Sequence, residues 1–364
     1  MRWFAAVLAA VVLSGCASLM SDLTDKFPVS SDSVIRLKGD FTQSEVRQQL
    51  VEYSGNLYAI SNDGVISVFN VGTGQVTAQQ RVASVSVGLT QADGLGLFAA
   101  TNGDLIALSL DDLSVRWRHK TQNFVHTLPT KTSNRVYVLT DSNRLLALEA
   151  ATGQLAWTAK ANTQEIQTLG GARPAAVAGG VLVGMSDGSV TGFSEPSGEF
   201  KWQSNVGDAS ALGLESNVVD IDRELAVVGR RVIAASKANI VAAIDGRTGE
   251  TIWKLNRAVR AGLIAMGEQV MLVDDANNVI ALSSVNGQVL WSQKLGLRVN
   301  QMQRSNNSLL LVGQRDIAVL SGTNGQTLLQ KSFDAAIRAA LITQSADAVY
   351  VLTEMGQLIR VPLS

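Results

Sequence analysis

The chain has 364 residues, with 30 Lys and Arg against 31 Asp and Glu for a formal net charge of −1, a balance that argues against a nucleic-acid binder, which would carry a basic excess. Hydrophobic residues make up 46% and charged ones 17%, enough for a substantial core, yet beyond the N-terminus no apolar stretch reaches the roughly 18 residues of a spanning helix. The only cysteine is Cys16 and the only histidines are His119 and His126, which excludes an intrachain disulfide and leaves the body without a thiolate metal site or cysteine nucleophile.

Met1-Arg2 is a short positive start, and residues 3–13 form an apolar run of signal-peptide length. Leu13-Ser14-Gly15-Cys16 follows. This tetrad resembles the bacterial lipobox, whose cysteine is diacylated, becomes the new N-terminus and is acylated again. An ordinary secretory peptide would also show the charge and the apolar run. The small residues and the lone cysteine at this spacing favour lipidation at Cys16. The expected organisation is a lipoprotein signal peptide at 1–15, a lipidated cysteine and polar tether at 16–28, and a folded domain at 29–364. Two or more acyl chains, at roughly 0.8 kcal/mol per buried CH2, tether a protein firmly where one does not. Residue 17 is Ala and not Asp, which resembles lipoproteins sent on to the periplasmic face of the outer membrane.

The segment 33–38, Ser-Val-Ile-Arg-Leu-Lys, reads as a strand with no unit of its own. From there a repeat of about forty residues takes over. One unit runs Arg135-Val136-Tyr137-Val138-Leu139, then Leu145-Leu146-Ala147-Leu148, then Thr152-Gly153-Gln154-Leu155-Ala156-Trp157. Others run from Arg231 to Trp253 and from Val270 to Trp291. The turn glycine recurs at Gly74, Gly153, Gly198, Gly249, Gly287 and Gly325, and Leu113 stands in its place once. Short runs of β-branched and aliphatic residues are strands, and the Thr-Gly, Asn-Gly and Asp-Gly pairs are hairpin turns that need positive φ. No helical period competes. Three visible strands and a weaker leading one make a four-stranded antiparallel blade, and such blades set radially make an all-β propeller. Seven units are explicit. An eighth and last, at 348–361, stops before its fourth strand, which 33–38 is expected to supply. The expected fold is therefore an eight-bladed β-propeller whose last blade is closed by an N-terminal strand.

Every tryptophan outside the signal peptide occupies one repeat position: Trp117, Trp157, Trp202, Trp253 and Trp291. Five-fold recurrence suits docking of each blade against its neighbour better than ligand stacking. His119 shares a strand with Trp117 and His126 begins an inner strand; both read as structural or exposed.

The motif Ala243-Ile244-Asp245-Gly246-Arg247-Thr248-Gly249 to Trp253 resembles the pyrroloquinoline-quinone-type propeller repeat, shared by quinoprotein dehydrogenases and non-enzymatic scaffolds. With the lipobox, eight repeats and the short chain, it resembles the BamB family of the β-barrel assembly machinery. That resemblance implies a non-catalytic scaffold without cofactor or metal. Its implied partners are a POTRA domain of BamA, other subunits of the machinery, nascent outer-membrane proteins and, through the anchor, the outer membrane. The dehydrogenases are longer and many carry an adjacent cysteine pair, which this chain lacks. A small quinoprotein enzyme is thus the weaker alternative, and a lipoprotein scaffold for another periplasmic partner is a third.

Two intervals of the repeat, ending at Gly198 and Gly249, exceed the others by about 6 and 12 residues. The extra residues lie near 161–171 and 205–219, in neighbouring connections on one face, and insertions clustered so often mark a binding face. The first contains Ile166-Gln167-Thr168-Leu169-Gly170, with Arg173-Pro174 following; the second ends Asp220-Ile221-Asp222. By resemblance these are the loops that dock on BamA, where the family shows Leu-x-Leu-Arg-Gly and an Asp-x-Asp pair. Asp220 and Asp222 match the pair, although solvated loop acids would look the same. Ile166 fits the first leucine, Thr168 and Leu169 depart from the second leucine and the arginine, and Arg173 is a candidate for the missing charge.

Overall fold

A computed structural model describes residues 34–43, 50–125, 127–160, 172–207, 220–221 and 223–363. They form eight four-stranded antiparallel sheets. Blades 1 to 8 begin with inner strands at residues 51, 85, 130, 175, 226, 261, 301 and 337. In blades 1 to 7 the four strands follow in chain order from the axis outwards. Blade 8 takes its outer strand from the other end of the described chain: Val34–Arg36 pairs antiparallel with Gln357–Pro362, Val34 opposite Ile359 and Arg36 opposite Gln357. The predicted closure is thus present, shortened to three residues because Leu37 leaves the sheet and donates its N–H to Gly356 O at 2.8 Å.

Burial explains why the sequence shows apolar runs and not strict alternation. Each sheet is covered on both faces by its neighbours, so the middle strands are apolar on both sides. Asp104–Ser109 and Ser189–Ser194 are buried along their whole length, whereas the outer strand Thr327–Ser332 is largely exposed. The core is divided among the gaps between blades. Eight apolar clusters of the described residues each join one blade to the next, and the cluster of Phe41, Leu57, Phe69, Tyr350 and Leu352 joins blade 8 to blade 1.

The tryptophans latch these gaps. In blades 1 to 7 a β-bulge interrupts the pairing of the third and fourth strands just before the tryptophan position. A bulge re-aims the side chain that follows it. Here it turns the indole onto the turn glycine of the next blade: Trp117 onto Gly153, Trp157 onto Gly198, Trp202 onto Gly249, Trp253 onto Gly287 and Trp291 onto Gly325. A Cβ on any of these glycines would lie 2.5 to 3.1 Å from the ring, so glycine is needed for contact as well as for its φ of 69° to 76°. Four of the indoles also donate to a carbonyl three residues before that glycine: Trp117 to Ala150 O at 2.9 Å, Trp157 to Glu195 O at 3.0 Å, Trp202 to Gly246 O at 3.3 Å and Trp253 to Ser284 O at 3.0 Å.

Candidate interaction face at the long connections

Antiparallel strands put the turns between first and second and between third and fourth strands at one end of every blade. The turns between second and third strands and the links to the next blade lie at the other end. Both long connections, 161–171 and 208–219, therefore leave and return on the same face, flanking blade 4. Ile166, Thr168, Leu169 and Asp222 lie outside the described residues, as do Cys16 and His126. The structure does place the chain on either side of these segments, including Arg173 and Asp220.

Arg173 is held by three neighbours. Its Nε donates to Thr130 Oγ1 at 3.0 Å, and one terminal nitrogen reaches Pro129 O at 2.9 Å and Thr90 Oγ1 at 3.3 Å. Thr130 Oγ1 in turn donates to Pro174 O at 2.6 Å. The guanidinium thus ties the start of blade 4 to blades 2 and 3. Asp220 is 2% exposed. One carboxylate oxygen meets the half-exposed Lys237 Nζ at 2.8 Å, and Asp220 O accepts the Lys237 N–H at 2.9 Å. Lys237 belongs to the turn after the second strand of blade 5 (Arg231–Ser236). Asp220 therefore faces into the protein, where burial of a carboxylate requires the cation beside it.

The residue after Asp220 is as informative. Ile221 is fully buried and its N–H donates to Met185 O at 3.0 Å. It lies against Gly184, the last residue of Gly180–Gly184 in blade 4, and Ala172 packs beside it in the same apolar cluster. Sequence reasoning singled out neither Ile221, Gly184 nor Lys237. An isoleucine between two aspartates and a glycine at a strand end were the available signals, and both are too common to point anywhere alone.

Elsewhere a cleft of ≈ 300 Å3 opens between blades 1 and 2, lined by Tyr58, Ala78, Gln80, Leu110, Asp112 and Leu113 among others. It marks a gap where the latch is missing. Ala78 stands at the tryptophan position, and Tyr58 Oη donates to Leu110 O at 2.7 Å, the carbonyl an indole would otherwise meet. The carboxylates with lowered pKa are served by their own turns. The Ser114 hydroxyl and amide hold Asp112 down to about 2, and the hydroxyls of Ser345 and Thr343, with Arg360, hold Asp347 well below the usual range. Glu52 is instead pushed up by burial while it accepts the Gln344 N–H across the closing seam at 2.6 Å. These shifts belong to turns and to the ring closure. Among the described residues no group of three or more His, Cys, Asp and Glu is placed to hold a metal ion.

The family model of the outer membrane protein assembly factor BamB matches residues 62–293. Curated relatives of that name include a protein from Vibrio cholerae serotype O1, 32% identical over 128 residues, which is 35% of this chain and 33% of the relative. Another, from Yersinia pestis, is 23% identical over 274 residues, 68% of this chain and 69% of the relative. The matches to the first curated relatives, from Vibrio cholerae and Shewanella oneidensis, span 33% and 48% of those proteins. Among solved structures, BamB from Moraxella catarrhalis aligns with a TM-score of 0.70 at 20% identity, covering 90% of this chain and 98% of that one. Saccharomyces cerevisiae Sqt1 reaches 0.70 at 10% identity, covering 90% and 99%, so the structural likeness speaks for the fold alone.

Proposed function

The chain belongs to the BamB family of outer membrane protein assembly factors, and on that premise we propose that it is a non-catalytic scaffold lipoprotein of the β-barrel assembly machinery. Anchored through Cys16 to the periplasmic face of the outer membrane, it uses the face carrying the two long connections to bind the POTRA region of BamA. Held there with the other subunits, it assists delivery or insertion of nascent outer-membrane proteins. One observation carries this reading. The repeat is broken twice, in adjacent connections on one face, and the chain ends flanking both breaks are fixed to blades 2 to 5 by Arg173, Ile221 and Asp220. A regular ring supplies rigidity, and specificity is added where loops depart from it.

Val34–Arg36 runs from the opposite end of blade 8 toward the long-connection face. Gentle isolation of the native lipoprotein from outer membranes, with identification of the co-purifying chains, tests the assignment. BamA is the expected companion. Recovery of a different periplasmic partner without BamA would replace it.

A further inference from the structure

Five of the gaps between blades are filled at the outer strands by one of the chain's own indoles, laid on the turn glycine of the next blade. The gap between blades 1 and 2 is built on the same plan with the indole left out. Ala78 stands opposite Val68 just as Trp117 stands opposite Ala107 and Trp157 opposite Ala147, each at the same bulge. In place of the ring there is the cleft of ≈ 300 Å3, at the lower end of the range of ligand pockets, about 300–1,000 Å3. It opens to solvent past Ala78, which is exposed.

The walls of the cleft differ in kind. Tyr58, Leu110 and Leu113 are buried and form an apolar floor, and the Tyr58 hydroxyl is spent on Leu110 O at 2.7 Å. Polar recognition is left to the rim. There Asp111 and Asp112, both exposed, belong to the turn between the third and fourth strands of blade 2, Asp104–Ser109 and Val115–Lys120. Asp112 is kept ionised by the Ser114 N–H and hydroxyl, which donate to it at 3.0 and 2.7 Å. The Arg116 guanidinium, 3.7 Å from Asp112, answers one of the two charges. The other polar lining residues are amides and a hydroxyl, so the rim stays net negative.

We propose that this cleft is a binding site for an aromatic side chain flanked by a basic one, presented by a partner polypeptide. The ring takes the place of the absent latch indole and the cation meets Asp111. A ring that is not tied to residue 78 can stand clear of the Leu113 side chain. Burial of the ring on the apolar floor supplies the affinity, and the exposed carboxylates choose between sequences, as rim charges add specificity more than strength. The turn that carries the acids lies at the end of the propeller opposite the long connections. The site therefore neither uses nor blocks the face proposed to bind BamA.

Titration of three blocked dipeptides, Ac-Trp-Lys-NH2, Ac-Trp-Glu-NH2 and Ac-Ala-Lys-NH2, into the full chain tests the site, followed by the methyl resonances of Val68, Leu110 and Leu113. Ac-Trp-Lys-NH2 is expected to shift these resonances saturably and to bind about twofold to fivefold more tightly than Ac-Trp-Glu-NH2, the range of an exposed ion pair. Ac-Ala-Lys-NH2 should not saturate. Ala78→Leu fills the cleft from an exposed strand position and should weaken Ac-Trp-Lys-NH2 by about tenfold or more, the loss expected when a ring is kept from its floor. Asp111→Asn should keep ring binding and remove most of the preference for lysine over glutamate. Equal affinity for the three peptides, no saturation by any of them, shifts confined to other blades, or parental affinity in Ala78→Leu would each overturn the site. Shifts of the same methyls on raising the protein concentration without peptide would assign the cleft to a second copy of the chain and overturn it too.

Discussion

Ala78 and Leu113 face each other across the only gap between blades 1 to 7 that lacks a tryptophan–glycine latch. Leu113 adopts a φ of 58°, a left-handed conformation that costs a non-glycine residue about 1–2 kcal/mol, and its side chain is buried in the cluster joining blades 1 and 2. The two departures compensate: an indole at 78 would collide with a Leu113 side chain, and a glycine at 113 would leave Ala78 facing a void. Leu113 announced itself in the sequence by interrupting the glycine series. Ala78 did not, because alanine is unremarkable in a strand until its partner across the gap is known. The pair makes a direct test of the latch. Ala78→Trp alone and Leu113→Gly alone are each expected to lower the melting temperature, whereas the double variant should recover and exceed both. The coupling energy from the cycle should be about 1–3 kcal/mol, in the range of residues in contact. Additive effects in thermal unfolding would show that the indole does not need the glycine.

At the scale of the element, the strands that pack on both faces were the legible ones. Their four to six consecutive apolar residues have no other use in a short segment, as in Val136-Tyr137-Val138-Leu139 and Ile240–Asp245. The short inner strands were not. Thr130–Lys131, Ala175–Val177 and Ala226–Val228 are two or three residues long, too short for any period to register. The closing strand was inferred from a deficit, a last unit without its fourth strand, and the pairing of Val34–Arg36 with Gln357–Pro362 answers it. Its hold extends beyond those bonds. Leu37 and Phe41 are buried between blades 8 and 1, and Arg338 donates to Phe41 O at 2.8 Å and Thr42 O at 2.7 Å. Removal of residues 29–38 should therefore open the ring and lower the melting temperature by roughly 10 °C or more, as the loss of several kcal/mol implies for a chain of this size. An unchanged melting curve would mean that the seam between blades 8 and 1 closes without its strand.

For the whole molecule, regularity and the proposed function divide the chain between them. The repeat accounts for the eight blades, the gaps and the latches, and it was readable because every unit solves the same packing problem with the same residues. The proposed interaction face was readable only as an excess of residues at two places. Its internal wiring was not, because Gly184, Ala172 and Ile221 come together across two blades and no local spacing encodes that meeting. Asp220 shows the difference in kind. As one acid of an Asp-x-Asp pair it suggested a contact with a partner, and in the fold it is a buried anchor paired with Lys237. The most direct measurement is titration of the soluble POTRA region of BamA against the chain and against a variant whose connections 161–171 and 208–219 are both shortened to the length of the other interblade links. The expected result is a variant that melts like the parent yet binds at least about a hundredfold more weakly, the loss that removal of a binding centre brings. Parental affinity in that variant would contradict the claim that this face is where the propeller meets its partner.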